Sequence, residues 1–274
     1  MKSVPQTISR RKNTLLMCAC PIALMGEEIA FKGPSGEILS GFIDEPDTPN
    51  KKGVILLHCF LCTKHHRIMR GLAECLSAHG FTTLRFDFSG NGRSGGRIED
   101  ATYTRMIGEV KAAVSLLEKR GISSIGVAGH SMGAMMGLLA AHEDKRIHAV
   151  AFIAGSSKAA RVKEIFPPEA LERAEREGSA HTSIFGRDIM IKREFLHDIE
   201  RYDVEKTASA LGKPLLIVHG TADQIIDYHH AQQLSGWASG SRLESIEGGD
   251  HLFRDEKHLS KVTNSVCDWF SEVL

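Results

Sequence analysis

An α/β fold with a mostly parallel central sheet, helices on both of its faces and an antiparallel hairpin at its start is predicted by three features of the sequence. Segments of strand character alternate with amphipathic helices from residue 27 onward, the pattern of a parallel sheet with crossover helices. Several strands are unbroken apolar runs, such as "GVILL" and "AVAFI", which need cover on both faces. A glycine-rich turn, "GVAGHSMGA", joins one such strand directly to a helix.

The elements follow in order. "EEIAFKG" and "EILSGFIDEP" are short strands around the turn "GPSGE", a hairpin with Pro34 and Gly36 as turn formers. "KKGVILLHCF" is the first buried strand. "MRGLAECLSAHG" is a helix with Leu72, Cys75 and Leu76 inward and Gly80 as its stop. "FTTLRFDFSGNG" is a strand with a glycine-rich exit. In "YTRMIGEVKAAVSLLEKRG", Ile107, Val110, Val114 and Leu117 fall at spacings of three and four, the buried stripe of a long helix. "SIGVAGHS" is a strand and "MGAMMGLLAAHE" the helix after it. "IHAVAFIAG", "KPLLIVHG" and "SRLESIEG" are further strands, with "DYHHAQQLSGWA" a helix before the last. "EKHLSKVTNSVCDWFSEVL" closes the chain as an amphipathic helix.

Residues 156 to about 210 break this rhythm. They are strongly charged, read as helical in pieces and contain no buried-strand run, yet they include Ile165, Phe166, Ile184, Phe185, Ile189 and Met190. A charged insertion with this apolar content reads as a lid over the strand ends, with solvated surface as the alternative.

Composition narrows the function classes. At 274 residues, with 42% hydrophobic and 25% charged residues, the chain suits one α/β domain with a sizeable core. Lys+Arg and Asp+Glu are both 34, so no net charge argues for nucleic acid or an anionic membrane as partner. No apolar run is long enough to span a bilayer. Six cysteines in a chain of this size read as free thiols in a reducing compartment, which makes the cytoplasm the expected location. Residues 1–26 stand apart as an N-terminal extension to the domain at 27–274. In "SRRKNTLLMCACPIALMG", Arg10, Arg11 and Lys12 precede an apolar run in the outline of an export signal. Pro21 interrupts that run and no small-x-small cleavage site follows, so a disordered extension or an early start codon is the preferred reading, with export as the alternative.

The chemistry concentrates at the strand ends. A G-x-S-x-G match alone is weak in a chain with 26 glycines. Ser131, however, lies on a sharp turn between a buried strand and a helix, where Gly129 and Gly133 give the room such a turn needs. A serine hydroxyl needs a base, and the base an orienting acid. "VHGTADQIID" places Asp223 just past one buried strand, and "EGGDHLF" places His251 in a loop past the next. The order Ser131, Asp223, His251 makes them the candidate catalytic residues. Asp250 and Asp227 are rival acids; the first adjoins the histidine and should point elsewhere, and the second suits the N-cap of the following helix. The backbone N–H groups of Met132 and Phe60 are the candidate oxyanion donors, with His58 pinning the loop that carries Phe60. Phe185 is the candidate substrate-binding residue in the lid. Cys59-x-x-Cys62 reads as inert or pocket-lining, with redox and metal roles as alternatives; neither a metal site nor a cofactor is expected.

From about Glu27 to Leu274, "LLHCF", "RFDFSGNGRS", "GHSMG", "VHGTADQII" and "GGDH" together resemble the α/β-hydrolase family, in its serine-esterase and serine-aminopeptidase-like branch. "HCFLCTK" is similar to hydrolase domains fused to OsmC-type domains, and it puts Cys59 where family members usually carry glycine. A serine nucleophile separates the chain from the dehalogenase and epoxide-hydrolase branches, which use aspartate. The resemblance implies the α/β-hydrolase fold with a helical lid, and hydrolysis of small to medium carboxylic esters through an acyl-enzyme. Thioesters or amides are the alternative substrates, and a Cys59/Cys62 redox protein is the reading from a different class.

Overall fold

The computed structural model describes residues 26–48 and 50–274; residues 1–25 of the N-terminal extension, and with them the export alternative, lie outside these residues. Strands β1 (Glu27–Lys32) and β2 (Ile38–Asp44) form the expected antiparallel hairpin, closed by Gly36 at φ 87°. β3 (Lys52–Leu57) leads through a long loop to α1 (Arg67–Ala78), β4 (Thr82–Phe86), α2 (Tyr103–Lys119), β5 (Ser124–His130), α3 (Met132–Glu143) and β6 (Ile147–Ile153). After an insertion, β9 (Leu215–Gly220), α7 (His229–Trp237), β10 (Arg242–Ile246) and α8 (Glu256–Val273) complete the domain. The eight-stranded sheet has the order β1-β2-β4-β3-β5-β6-β9-β10, antiparallel at β1, β2 and β4 and parallel from β4 onward.

Period-two alternation divides the core in two. Ile55 and Leu57 of β3 face α2 and α3, while Val54 and Leu56 face α1 and α8. A strand that feeds both layers must be apolar at every position, which is why β3 reads as an unbroken run. The α2 stripe of Ile107, Val110, Val114 and Leu117 is fully buried.

The insertion differs from its sequence reading. Besides a 3-10 turn at Ala159–Ile165 and the short helices α4 (Pro168–Glu177), α5 (Arg193–Ile199) and α6 (Val204–Ser209), it contains an antiparallel hairpin of β7 (Ser179–Ile184) and β8 (Arg187–Lys192). Ala180, Ile184, Ile189 and Ile191 are buried in it, so each strand buries one face only. A search for unbroken apolar runs misses such strands, because their signal is alternation. The hairpin turns at Phe185 and Gly186, at φ 51° and 75°, the positive angles that a two-residue turn requires.

The four cysteines among the described residues also depart from expectation, while Cys18 and Cys20 lie outside them. A disulfide joins Cys59 to Cys62, and the sulfurs of Cys75 and Cys267 come together between α1 and α8, with Cα atoms 5.3 Å and 6.3 Å apart respectively. The reading as free thiols rested on count and chain length, neither of which shows that α1 and α8 lie side by side. No helix among the described residues is long and apolar enough to cross a membrane.

Candidate active site

Ser131 follows the last residue of β5 and precedes the first of α3, with φ 56° and ψ −116°. Its N–H donates to the Ile153 carbonyl at 2.8 Å, which ties the turn to the neighbouring strand β6. A side chain at Gly129 would collide with the Gly133 carbonyl, and one at Gly133 with the Leu57 carbonyl on β3. The collisions are with backbone, which cannot rotate away, so both glycines are dictated by the closeness of the turn to the sheet.

The sheet brings Ser131, Asp223 and His251 together. Ser131 Oγ lies 3.1 Å from His251 Nε2, and His251 Nδ1 lies 2.7 Å from Asp223 Oδ2. A carboxylate only accepts, so Nδ1 carries the proton and Nε2 is left to accept from the serine hydroxyl. Asp223 Oδ1 accepts the Ile225 and Ile226 N–H groups at 2.8 and 2.9 Å, while Oδ2 also lies 3.2 Å from His219 Nε2. Burial by itself would push the Asp223 carboxyl up. Hydrogen bonds from His219, His251 and the Ile226 amide outweigh it and hold the group below the ordinary carboxylate range. The rival acids serve elsewhere. Asp250 accepts the Arg254 N–H at 2.8 Å and pairs with its guanidinium, and Asp227 accepts the His229 N–H at 2.8 Å at the start of α7.

Two positioning residues were not singled out from the sequence. His130, wholly buried before the serine, donates Nε2–H to the His251 carbonyl at 2.8 Å and so holds the loop carrying that histidine. His219 near the end of β9 donates to the Ile226 carbonyl at 2.8 Å and faces Asp223. Their one sequence mark is a polar residue at the end of an otherwise apolar strand, in "VAGHS" and "IVHG".

The loop after β3 is anchored from both sides. His58 Nε2 accepts the Phe88 N–H at 3.1 Å and its Nδ1–H donates to the Cys59 carbonyl at 2.8 Å; burial lowers its pKa to about 4, which keeps it neutral in this role. Lys64, fully buried, pairs with Asp87 at 2.6 Å, and Asp87 also accepts the Lys64 and Arg93 N–H groups. The N–H of Phe60, between these anchors, and that of Met132, at the start of α3, have no hydrogen-bond partner among the described residues. The Cys59–Cys62 disulfide brackets Phe60 and Leu61, with Leu61 at φ 57°.

A cavity of about 870 Å³ opens over Ser131 and His251. Phe60, Met132 and Met135 line it beside the serine, the insertion supplies Val162, Ile165 and Phe185, and Ile225 is a further lining residue. Phe185 is 76% exposed at the hairpin tip. A smaller apolar pocket of about 40 Å³, between Phe60, Met132, Phe166 and Phe195, adjoins it. For a metal, the Cys59 sulfur and a ring nitrogen each of His66 and His130 lie within 4.8 Å of one another, but that sulfur is already bonded to Cys62.

Against known proteins, the family of the alpha/beta hydrolase fold matches residues 53–180. Est1E from Butyrivibrio proteoclasticus, solved with ferulic acid bound, superposes with a TM-score of 0.78 at 26% identity, covering 89% of this chain and 98% of that one. The chain belongs to the α/β-hydrolase superfamily. This hydrolase also superposes on the esterase domain of a Rhodothermus marinus protein, with a TM-score of 0.72 and 25% identity over 90% of this chain and 98% of that one. It is 21% identical over 243 residues to the human mitochondrial palmitoyl-protein thioesterase ABHD10, covering 83% of this hydrolase and 78% of that protein.

Proposed function

We propose that this hydrolase is a serine esterase in which Ser131 is the nucleophile, His251 the general base and Asp223 the acid that orients it. The observation that carries the reading is the Ser131 Oγ to His251 Nε2 contact of 3.1 Å, made by a serine at positive φ on the floor of an open cavity. In the acylation step His251 Nε2 takes the serine proton as Oγ attacks the ester carbonyl, and Asp223 stabilises the imidazolium that forms. The N–H groups of Phe60 and Met132 receive the oxyanion, with the N-terminus of α3 adding its dipole. The imidazolium then protonates the leaving alcohol, and water enters by the same base to release the acyl group.

The apolar lining and the adjoining small pocket suit an acyl chain or an aromatic acid of medium size. Thioesters are the second reading. It draws on the likeness to a palmitoyl-protein thioesterase and on a cavity large enough for a longer chain. A fluorophosphonate probe should label Ser131, and wild type but not Ser131→Ala should turn over a series of 4-nitrophenyl esters. Loss of about 10⁶-fold in kcat with an unchanged melting curve is expected for Ser131→Ala. Ester turnover undiminished in that variant would overturn the assignment.

A further inference from the structure

The cavity over Ser131 carries charge of essentially one sign. The chain as a whole balances 34 basic against 34 acidic residues. Around this cavity, however, stand Lys158, Arg161, Arg187 and Arg254, against Asp250 as the one carboxylate among the described lining residues. The cations come from three separate walls. Lys158 and Arg161 follow β6, Arg187 opens β8 next to the hairpin tip, and Arg254 follows His251.

Internal partners leave much of this charge uncompensated. Asp250 is engaged by Arg254, both through its guanidinium at 3.2 Å and through its N–H at 2.8 Å. Arg161 is held in place: one terminal nitrogen donates to the Ile225 carbonyl at 2.8 Å and the other pairs with Glu164 at 3.0 Å. Lys158 and Arg187 make no ion pair among the described residues, although both line the cavity. His230, behind Ser157, is held below the ordinary histidine range by burial first, then by Arg161, with His219 and Lys158 adding to it.

An apolar floor beneath a cationic rim is complementary to an amphiphile whose apolar part lies at the serine and whose far end is an anion. We propose that the substrate of this site is an ester or thioester bearing a terminal carboxylate or phosphate, recognised by Lys158 and Arg187 with Arg161 as a third, fixed cation. The proposal rests on Ser131 as nucleophile and narrows that reading to a substrate class. Arg187 sits beside Phe185, so one hairpin presents both an apolar and a cationic contact to the same ligand.

The test compares matched 4-nitrophenyl esters of equal chain length: a half-ester ending in a carboxylate, one ending in a phosphonate and a neutral one ending in a primary amide. At about 0.02 M NaCl the anionic esters should exceed the amide in kcat/KM by about tenfold, falling to two- or threefold at about 0.5 M, as the Debye length shortens from roughly 20 Å to about 4 Å. The larger of the two anionic preferences identifies carboxylate or phosphate. In Lys158→Gln/Arg187→Gln the anionic-to-neutral ratio should approach one, and Arg187→Lys should restore most of what Arg187→Gln loses. A wild-type ratio of one or less at low salt, or a ratio unmoved by the double substitution, would overturn the proposal while leaving the esterase reading in place. The Ser131→Ala protein keeps the cavity, so calorimetry with the same half-ester and amide separates binding from chemistry. About tenfold tighter binding of the half-ester there supports the class even if turnover fails, and equal binding rejects it.

Discussion

Ser131 holds a backbone conformation that costs a non-glycine residue about 1–3 kcal/mol, and such strain persists only where the surroundings over-determine it. Here they do: the Ile153 carbonyl takes its N–H, and Gly129 and Gly133 clear the space around it. The acid is where substitution discriminates best between roles. Asp223→Asn leaves the shape of the site nearly unchanged but lets the amide donate toward His251, which favours the tautomer with its proton on Nε2. We expect kcat to fall by about 10⁴-fold with little change in KM. Asp227→Asn, which touches only the cap of α7, should lower kcat less than about threefold and cost at most about 1 kcal/mol of stability. Steady-state kinetics on the two variants checks both, and the reverse ranking would reassign the acid.

Among the elements, the β7–β8 hairpin has the clearest division between local stability and function. Phe185 occupies the first central position of a two-residue turn, where its β-carbon is disfavoured and asparagine is preferred. Its ring is nevertheless largely exposed and lines the cavity that contains Ser131. On the proposed esterase reading, Phe185 serves the substrate's acyl part at some expense to the turn. Phe185→Asn is therefore expected to leave the melting temperature unchanged or slightly raised. The same substitution should lower kcat/KM for long or aromatic acyl esters by several-fold and leave acetate esters within about twofold, on the basis of the apolar area lost. A chain-length profile identical to wild type would return the hairpin to plain surface.

At the scale of the whole molecule, one buried carboxyl makes stability depend on pH in an unusual direction. Glu109 on α2 is wholly buried and accepts the Ser89 hydroxyl and N–H at 2.5 and 3.0 Å, joining the helix to the loop after β4. Burial raises its pKa to about 7 from an ordinary value near 4.5. The native state therefore binds a proton that the unfolded chain releases between those values. The resulting stabilisation is fully present below about 4.5 and is lost as pH rises through about 7, on the order of 3 kcal/mol in all. Asp223, with its pKa lowered, contributes with the opposite sign, losing stabilisation as the medium becomes acidic. Urea titrations of wild type and Glu109→Gln from pH 5 to about 8 should show wild type losing stability relative to the variant across this window. Parallel curves would mean that Glu109 is ionised throughout.

The sequence by itself determined the layers of this fold and the places where its chemistry could be. Apolar runs such as that of β3 report burial on both faces, and a serine between glycines at a strand-to-helix turn reports a close backbone approach; both are local properties of the chain. It also carried the order of Ser131, Asp223 and His251, since each sits just past the end of a strand that its neighbours identify. Only the tertiary structure decided which atoms meet. The pairing of His251 with Asp223, and not with adjacent Asp250, depends on the parallel register of β9 and β10 and on loops whose side-chain directions leave no periodic trace. His130 and His219, the Cys75–Cys267 contact and the convergence of cations from three walls were hidden for the same reason: contacts between residues remote along the chain are set by how the layers pack, and spacing in the sequence does not record that distance. The β7–β8 hairpin was hidden for a different reason. Its strands bury only alternate residues, and in a stretch this rich in charge that weak period is settled by the surface it packs on.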